Sequence, residues 1–436
     1  MDARRRVFQH ARLATPVGQD ISRHMAGADA PRLLAINNYF YRRGGSEVVF
    51  FEHNRLFEEA GWEVVPFAMR SAQDLPSVWS RHFVEPVEFG DEQPLVRKLV
   101  AAGKIIYSLE ARRRIRELCA LTRPSIAHAH NIYHHLSPSI LGELRSHGIP
   151  VVMTLHDLKL ACPAYKMFTN GAVCESCRDG KLRNVMKRRC IKGSLAMSAL
   201  VWLESTLHRQ LDLFTKNVTQ FVVPSRFLLG KLTEWGLNPE LFTYIPNFVA
   251  TEEHTAASVG NHFVYIGRLV PEKGVATLIR AAARAAVALQ IVGTGSEEES
   301  LKRLAAAAGG DVTFSGYLEG EQLRQALLSA RAIVVPSEWY ENAPISVMEA
   351  SGSGKVTIGA RIGGIPELIR EGETGFLFEA GNVEALAEVL RQVHTLPDAT
   401  LAKMGAAAHS WMRGEFTPTH YRERMLSLYN RLGVAA

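Results

Sequence analysis

The chain has 436 residues, of which 47% are hydrophobic and 8% aromatic, enough apolar material for two or three packed domains. No run of eighteen uninterrupted apolar residues occurs, so we predict no transmembrane helix. A formal charge of +6 is typical of a protein that meets an anionic substrate, a membrane face or nucleic acid. Five cysteines in a chain of this size do not indicate a secreted disulfide scaffold, so we expect a cytoplasmic protein.

The amino-terminal part begins with a basic, polar leader, residues 1–30, which lacks the apolar core of a signal peptide. A strand is predicted at residues 32–36, followed by a loop with Gly44 and Gly45 and a helix over residues 46–60. Glycines let the backbone approach a bound ligand closely, although a tight turn alone also explains such a pair.

A second strand is predicted at residues 63–67, and residues 71–91 show no clear period. Residues 95–121 are predicted as one helix with basic side chains interleaved among apolar ones. This pattern is typical both of a solvated helix face and of a helix that contacts a membrane surface. The sequence leaves both interpretations open.

The next two predicted strands, residues 125–130 and 151–157, both carry a histidine at their carboxyl end. In an open parallel sheet these ends border the ligand crevice, so we predict that His130 and His156 lie there. A histidine with a purely structural task is the alternative for each.

Four of the cysteines follow the second of these strands: Cys162, Cys174, Cys177 and Cys190 are separated by eleven, two and twelve residues. Four thiolates at such spacings can hold a tetrahedral zinc ion, which would be structural because no ligand position stays open. Buried reduced thiols and a redox pair are the alternatives. We delimit this Cys-rich insertion as residues 160–193.

The domain organisation follows from the alternation of strands and helices. We predict an α/β protein with a first domain over residues 31–248 that contains the Cys-rich insertion, and a second domain over residues 262–412. Each domain is expected to be a doubly wound parallel sheet. A helix within residues 413–436 can pack back on the first domain.

The second domain opens with a strand and a loop that carries Arg268 and Lys273. The two cations are five residues apart across a turn, so both can bracket one diphosphate. As isolated residues they would be surface cations. A glycine turn ending at Gly295 follows the next strand.

A buried strand at residues 332–335 precedes the most informative stretch, residues 337–369. Asn342 is predicted as the cap of a helix over residues 345–351. The free amides at a helix start form an anion site, which assigns the backbone of Ile345 and Ser346 to a phosphate.

Two glutamates flank that helix start. Glu341 lies in the loop and can accept hydrogen bonds from sugar hydroxyls, and Glu349 lies in the helix and can accept them from a ribose. Two solvated acids without a ligand are the alternative.

Glu341, seven residues and Glu349, followed by Gly-Gly-Ile-Pro-Glu at 363–367 and Gly-Glu-Thr-Gly-Phe-Leu at 372–377, resemble the donor-site signature of retaining glycosyltransferases of family 4. Glycogen synthases and mannosyltransferases are in this group. The resemblance implies the GT-B architecture, in which two Rossmann-like domains face a cleft. Residues 342–346 depart from the glycine-rich turn of many relatives.

The resemblance also implies an activity: a retaining hexosyl transfer from a nucleotide-diphosphate sugar to a glycan or lipid-linked acceptor, in cell-surface or exopolysaccharide biosynthesis. It implies catalytic positions for His156, which orients the sugar, and for Glu341. Because the Cys-rich insertion follows directly after His156 in the sequence, we expect it to shape the acceptor side. The implied substrate-binding residues are Gly44, Gly45, Arg268, Lys273, Gly295, Asn342, Ile345, Ser346 and Glu349.

The chain contains no Asp-x-Asp motif, so we expect catalysis without a metal or other cofactor, with fixed cations and amides stabilising the leaving diphosphate. We expect peripheral contact with the inner face of a membrane and no nucleic-acid partner. The alternatives are a nucleotide-sugar epimerase or phosphorylase of the same architecture, and a non-catalytic protein that binds a sugar nucleotide or a membrane.

Overall fold

A computed structural model describes residues 30–87, 94–250 and 259–434 of the chain. Within these residues the chain forms two α/β domains, each with a sheet of six parallel strands. The predicted fold class is thereby confirmed. The predicted leader, except for its last residue, and residues 251–258 of the predicted interdomain boundary lie outside the described residues.

The first sheet is covered on both faces, because Leu34 and Ile36 of its first strand pack in one apolar cluster and Leu33 packs in another. This explains why its strands read as continuous hydrophobic runs. A short antiparallel hairpin, β5 (Phe168–Thr169) with β6 (Ala172–Val173), lies in the Cys-rich insertion. From edge to edge the sheet consists of β2 (Glu63–Phe67), β1 (Arg32–Ile36), β3 (Ile126–Ala129), β4 (Val151–Thr154), β7 (Gln220–Val223) and β8 (Phe242–Tyr244).

The helix predicted over residues 95–121 is wrong in one respect, because the chain breaks it in two. Tyr107 is extended, and the Ser108 hydroxyl accepts a hydrogen bond from the amide of Ala111 at 3.1 Å, so that Ser108 caps a new helix. The helices of this half are α1 (Gly45–Glu59), α2 (Leu95–Ile106), α3 (Leu109–Thr122), α4 (Ser139–Ser146), α5 (Asn184–Lys187), α6 (Leu195–Gln210) and α7 (Arg226–Glu234), with 3-10 turns at Ser80–His82, Arg178–Gly180 and Pro239–Leu241.

The strand order of the second sheet reverses between its two central strands, and ligands bind such sheets in the crevice beside this switch point. From edge to edge it consists of β11 (Val312–Gly316), β10 (Leu289–Val292), β9 (Phe263–Ile266), β12 (Ala332–Val335), β13 (Thr357–Ala360) and β14 (Gly375–Phe378). Its helices are α8 (Val275–Ala285), α9 (Glu298–Ala308), α10 (Gly320–Leu328), α11 (Ile345–Gly352), α12 (Val383–Thr395), α13 (Asp398–Glu415) and α14 (Pro418–Arg431), with 3-10 turns at Pro271–Lys273 and Ile365–Leu368.

The last helix, α14, lies on the first domain. Tyr421, Met425 and Tyr429 are buried in one apolar cluster with Leu33 and Phe57 of the first domain. The chain therefore returns to its amino-terminal half after completing the second domain. Among the described residues, no helix combines the length and the apolar character needed to cross a membrane.

Candidate active site

The loop after β9 presents the two predicted cations. Arg268 is exposed, and its side chain forms no salt bridge within the described residues. Lys273 ends the 3-10 turn and is four-fifths buried. Gly295 packs directly against the backbone of this loop. A Cβ atom at Gly295 would lie only 2.2 Å from the Leu269 carbonyl oxygen, so no side chain fits there. Gly295 therefore positions the cationic loop by close packing.

Glu341 is buried and already has a cationic partner. Its Oε1 atom lies 2.6 Å from Lys273 Nζ and accepts a hydrogen bond from the Ser337 hydroxyl at 2.6 Å. Burial raises the pKa of this carboxyl, but the charge of Lys273 and the two hydrogen bonds outweigh it, so the pKa lies below its usual value. Glu341 is thus held as a carboxylate beside the basic loop.

The start of α11 has no side-chain cap. Pro344 is the N-cap residue and offers no side-chain hydrogen bond, so the first amides, those of Ile345 and Ser346, are not capped by a side chain. Gly45 faces this end from the first domain, since a side chain on Gly45 would lie 3.6 Å from Ile345. The adjoining Gly44 is the exposed N-cap residue of α1. Two helix starts therefore approach each other across the cleft.

The prediction that Asn342 caps α11 is wrong. Its side chain instead links the two domains: the amide group donates to the Leu155 carbonyl at 3.0 Å, and its oxygen accepts from the Ser225 hydroxyl at 2.6 Å. Because Leu155 precedes His156, this bond brings the predicted catalytic residues of the two domains to one place. Sequence reasoning missed the contact because an Asn before a Pro-containing turn also fits a cap.

The glycines of the Gly-Gly-Ile-Pro-Glu segment are needed for close packing against the acidic loop. Gly363 has a φ of 60°, and a side chain there would lie 2.3 Å from the Glu341 carbonyl oxygen. The amide of Gly364 donates to that same carbonyl at 2.8 Å. The segment thus fixes the backbone on which Glu341 and Asn342 stand.

Glu349 lies on α11 and is solvent-exposed, but protein atoms crowd it on several sides and raise its pKa by desolvation. No salt bridge neutralises this carboxylate within the described ranges. It is thus available to accept hydrogen bonds from a ligand.

His156 is held by a second histidine. His130 Nδ1 and His156 Nε2 are 2.8 Å apart, and burial lowers the pKa of both rings, that of His156 to about 4, so both are neutral. His130 Nε2 is buried without a partner, and an unpaired acceptor costs less than an unpaired N–H. We therefore assign the proton to His130 Nδ1, which donates to His156. His156 then carries its proton on Nδ1, the nitrogen that can donate to a ligand.

A column of histidines continues from this pair to α14. Ring centroids are 4.8 Å apart for His128 and His130, and 4.5 Å apart for His53 and His128. Tyr429 bonds both His128 and His53, and Tyr421 bonds His53. Sequence reasoning missed this column, although His128 and His130, two apart on one strand, point to the same face.

The column also resembles a metal site, because His53, His128 and His130 offer ligand atoms within 4.8 Å of one another. The ring nitrogens of His53 and His128 are, however, already bonded to Tyr421, Tyr429 and Thr154. A network of neutral rings accounts for the geometry without an ion. The predicted zinc ligands lie elsewhere in the first domain, where all four cysteines line one small cavity.

Comparisons with known proteins agree with this arrangement. Residues 43–253 match the model of the family described as Glycosyltransferase Family 4, and residues 250–411 match that of Glycosyl transferases group 1. The chain belongs to the family 4 type of GT-B glycosyltransferases.

Among the relatives of this glycosyltransferase, the sulfoquinovosyl transferase of Arabidopsis thaliana is 33% identical over 170 residues, covering 37% of this chain and 33% of that protein. The alpha-maltose-1-phosphate synthase of Mycolicibacterium smegmatis is 31% identical over 186 residues, covering 39% of this chain and 48% of that protein. The glycosyltransferase thus spans a third to a half of the length of the curated relatives that it matches.

Solved structures are similar over almost the whole chain. Sucrose-phosphate synthase from Thermosynechococcus elongatus has a TM-score of 0.70 and 20% identity, covering 93% of this chain and 100% of that one. Anabaena HepE in complex with UDP and glucose has a TM-score of 0.65 and 15% identity, covering 92% of this chain and 100% of that one. At these identities the likeness establishes the fold.

Proposed function

We propose that this protein transfers a sugar from a nucleotide-diphosphate sugar to a glycan or lipid-linked acceptor. The observation that carries the proposal is the arrangement at the cleft, where Lys273, on the loop that also carries Arg268, pairs with Glu341 just before the uncapped start of α11. Cations and helix-start amides are the groups that bind phosphate in proteins. The structural similarity to a protein solved with UDP and glucose supports the same ligand class.

The donor's sugar lies, in this proposal, between Glu341 and His156, and its ribose hydroxyls bond Glu349. Glu341 is a carboxylate and accepts hydrogen bonds from sugar hydroxyls, whereas neutral His156 donates through Nδ1 to a sugar oxygen. Asn342 holds the two positions in register through the Leu155 carbonyl. The two domains thus contribute one acceptor and one donor to the same sugar.

We propose transfer with retention of configuration. Glu341, the carboxylate that we place beside the sugar, is already engaged by Lys273 and Ser337 and is therefore a poor nucleophile, and Glu349 is assigned to the ribose. The acceptor hydroxyl then attacks the anomeric carbon on the face that the diphosphate leaves. The new carbon–oxygen bond forms as the bond to the diphosphate oxygen breaks, and that oxygen takes the acceptor's proton.

We propose that Arg268, Lys273 and the α11 amides stabilise the diphosphate charge without a divalent metal. Fixed cations and backbone dipoles that point at developing charge contribute to catalysis because they need no reorganisation. The absence of an Asp-x-Asp motif from the sequence supports this assignment.

We propose that the acceptor side meets a lipid surface through α2. Val96, Leu99 and Val100 lie at positions i, i+3 and i+4 of this helix and are 71%, 63% and 57% exposed, beside exposed Arg97. An exposed apolar stripe next to a cation is typical of helices that lie on anionic membranes. Flotation with anionic vesicles tests this: Leu99→Glu should abolish binding, and Leu121→Glu, which changes an exposed residue of α3, should retain it.

The experiment that tests the activity is a panel of UDP-, GDP- and ADP-sugars incubated with the purified protein and cell-envelope acceptors, with detection of released nucleotide. We expect turnover of one donor, and a product whose anomeric configuration, read by NMR, matches that of the donor. Neither binding nor turnover of any donor would remove the proposal, and an inverted product would remove retention.

A further inference from the structure

The Cys-rich insertion folds so that four distant cysteines surround one cavity. The lining of this cavity, which has about 10 Å³ of space, includes Cys162, Cys174, Cys177 and Cys190. That is roughly the room of one water-sized sphere. None of the four forms a disulfide. Four reduced thiols around a space of this size match the ligand set of a structural zinc site.

Local structure explains how the four positions meet. The hairpin β5–β6 returns the chain, and the amide of Cys174 donates to the Met167 carbonyl at 2.7 Å. Cys177 follows at the spacing of a metal-binding turn. Cys190 ends the segment, with its amide donating to the Val185 carbonyl at 3.1 Å. Backbone hydrogen bonds therefore position Cys174 and Cys190.

A residue of α6 fixes the segment just before Cys162. Arg209 donates to the carbonyl oxygens of Leu160 and Ala161 at 3.0 and 2.7 Å, directly before Cys162. These two bonds fix the Arg209 guanidinium against the backbone directly before Cys162. A doubly charged ion with four thiolates leaves a net charge of −2, which the nearby Arg209 guanidinium partly balances.

The four cysteine sulfur atoms lie farther apart than the ligands of one metal ion do. Among the described residues, only His53, His128 and His130 bring three ligand atoms within 4.8 Å of one another. Rotating a cysteine about its Cα–Cβ bond moves its sulfur by about 3 Å between staggered positions. The side chains around the cavity can therefore close on an ion without a shift of the backbone.

The same insertion contacts both functional loops of the second domain. Lys166 Nζ lies 2.6 Å from an oxygen of Glu272, the residue before Lys273. The Tyr340 hydroxyl, next to Glu341, donates to Glu175 at 2.7 Å, and Lys231 of α7 donates to the same oxygen at 2.8 Å. The insertion thus braces the two loops that carry the ion pair of the cleft.

We propose that Cys162, Cys174, Cys177 and Cys190 bind one zinc ion, and that this ion orders the insertion that braces the Glu272 and Tyr340 loops. The metal site stands independently of the proposed sugar transfer, and only the effect on the donor loops rests on it.

The first test is the metal content of the untagged, full-length protein by mass spectrometry. We expect about one zinc per chain in the wild type and in Cys119→Ser, which changes the cysteine outside the insertion, and little in Cys174→Ser. Full zinc in Cys174→Ser, or none in the wild type after incubation with zinc under reducing conditions, would overturn the proposal.

Cobalt gives a readout on the wild type alone, should Cys174→Ser fail to fold. Chain grown with cobalt should show the visible absorption of a tetrahedral thiolate site, and addition of zinc should bleach it. Octahedral spectra or no absorption would contradict a four-cysteine site.

The variant Lys166→Met tests the contact between the insertion and the Glu272 loop separately from zinc binding. This variant should keep its zinc and bind UDP about tenfold more weakly, because the loop before Lys273 loses its anchor. Arg183→Met, a cation of the same insertion outside this contact, is the control. If Lys166→Met keeps its zinc and its UDP affinity, the zinc site stands and the proposed role of the insertion in bracing the loops is contradicted. If the wild type does not bind UDP at all, the proposed function is contradicted instead.

Discussion

The two walls of the cleft handle charge in opposite ways. The second domain presents ionic groups, with exposed Arg268 and the buried pair of Lys273 and Glu341. The first domain presents neutral rings, because burial lowers the pKa of His130 and His156 and keeps both unprotonated. The ionic wall suits a diphosphate, and the neutral wall suits a sugar and its acceptor.

The difference also shows how each wall is stabilised. Lys273 and Glu341 satisfy each other directly, so a ligand that binds Lys273 competes with an existing partner. His156 is oriented by His130 through its Nε2 atom, so in the proposed function its Nδ1 atom is left to donate to the ligand. The ionic wall must rearrange its hydrogen bonds on binding, whereas the neutral wall is preorganised. The changes below separate the two walls.

The largest effect is expected for Glu341→Gln. The amide keeps the shape but cannot act as a full carboxylate toward sugar hydroxyls, and it leaves Lys273 without its counter-charge. We expect kcat/KM to fall about 100- to 1000-fold, the size of effect seen when one transition-state contact is removed. Glu371→Gln makes the same change on the surface and should be neutral. Equal activity of the two variants would remove Glu341 from the site.

Arg268→Ala should weaken nucleotide binding by about 10- to 100-fold, because hydrogen bonds to charged groups contribute about 1.5–3 kcal/mol. Since Arg268 is exposed and forms no salt bridge within the described residues, its loss should not change Tm. Calorimetric titration with UDP measures the affinity, with Arg280→Ala as the exposed control. An unchanged affinity would assign the diphosphate to other groups.

His130→Phe should lower kcat about tenfold while donor affinity stays constant, because it removes the bond that orients His156 but touches no ligand. An asparagine can replace the Nδ1–H donor, so His130→Asn should recover part of kcat. Steady-state kinetics and donor titration together make the distinction. A parallel loss of donor affinity in both variants would indicate a structural defect of the wall instead.

The smallest effect is a pH dependence of stability. Burial lowers the folded-state pKa of His53 to about 3 and of His156 to about 4. Below pH 6.5 the unfolded chain therefore binds protons at these histidines that the folded chain does not bind. The free energy of unfolding should be highest above pH 6.5 and should fall as the pH drops from 6.5 toward 4. His53→Phe should flatten this slope in a series of Tm measurements, and His394→Gln should not. A slope unchanged by His53→Phe would contradict a neutral column.

The sequence predicts the fold well because buried parallel strands are recognisable as short apolar runs between helices. It also singles out Arg268, Lys273 and Glu341, because their spacing is local and a family motif surrounds them, and their roles stay predictions. Asn342 is placed correctly but given the wrong task, because its actual partners, Leu155 and Ser225, are more than a hundred residues away.

Long-range pairing is the common cause of what the sequence could not supply. The contact of Lys166 with Glu272 spans 106 positions, and that of His128 with Tyr429 spans 301. No periodicity or local motif records such pairs. Only the packing of α14 on the first domain and of the Cys-rich insertion on the second brings these residues together.

The most direct measurement is a crystal structure of the protein with UDP in the presence of a chelator. We predict that the diphosphate lies within hydrogen-bond distance of the Arg268 guanidinium and of the amides at Ile345 and Ser346, with Lys273 turned toward it. A diphosphate bound away from these groups, or UDP that binds only when a divalent ion is supplied, would contradict the account.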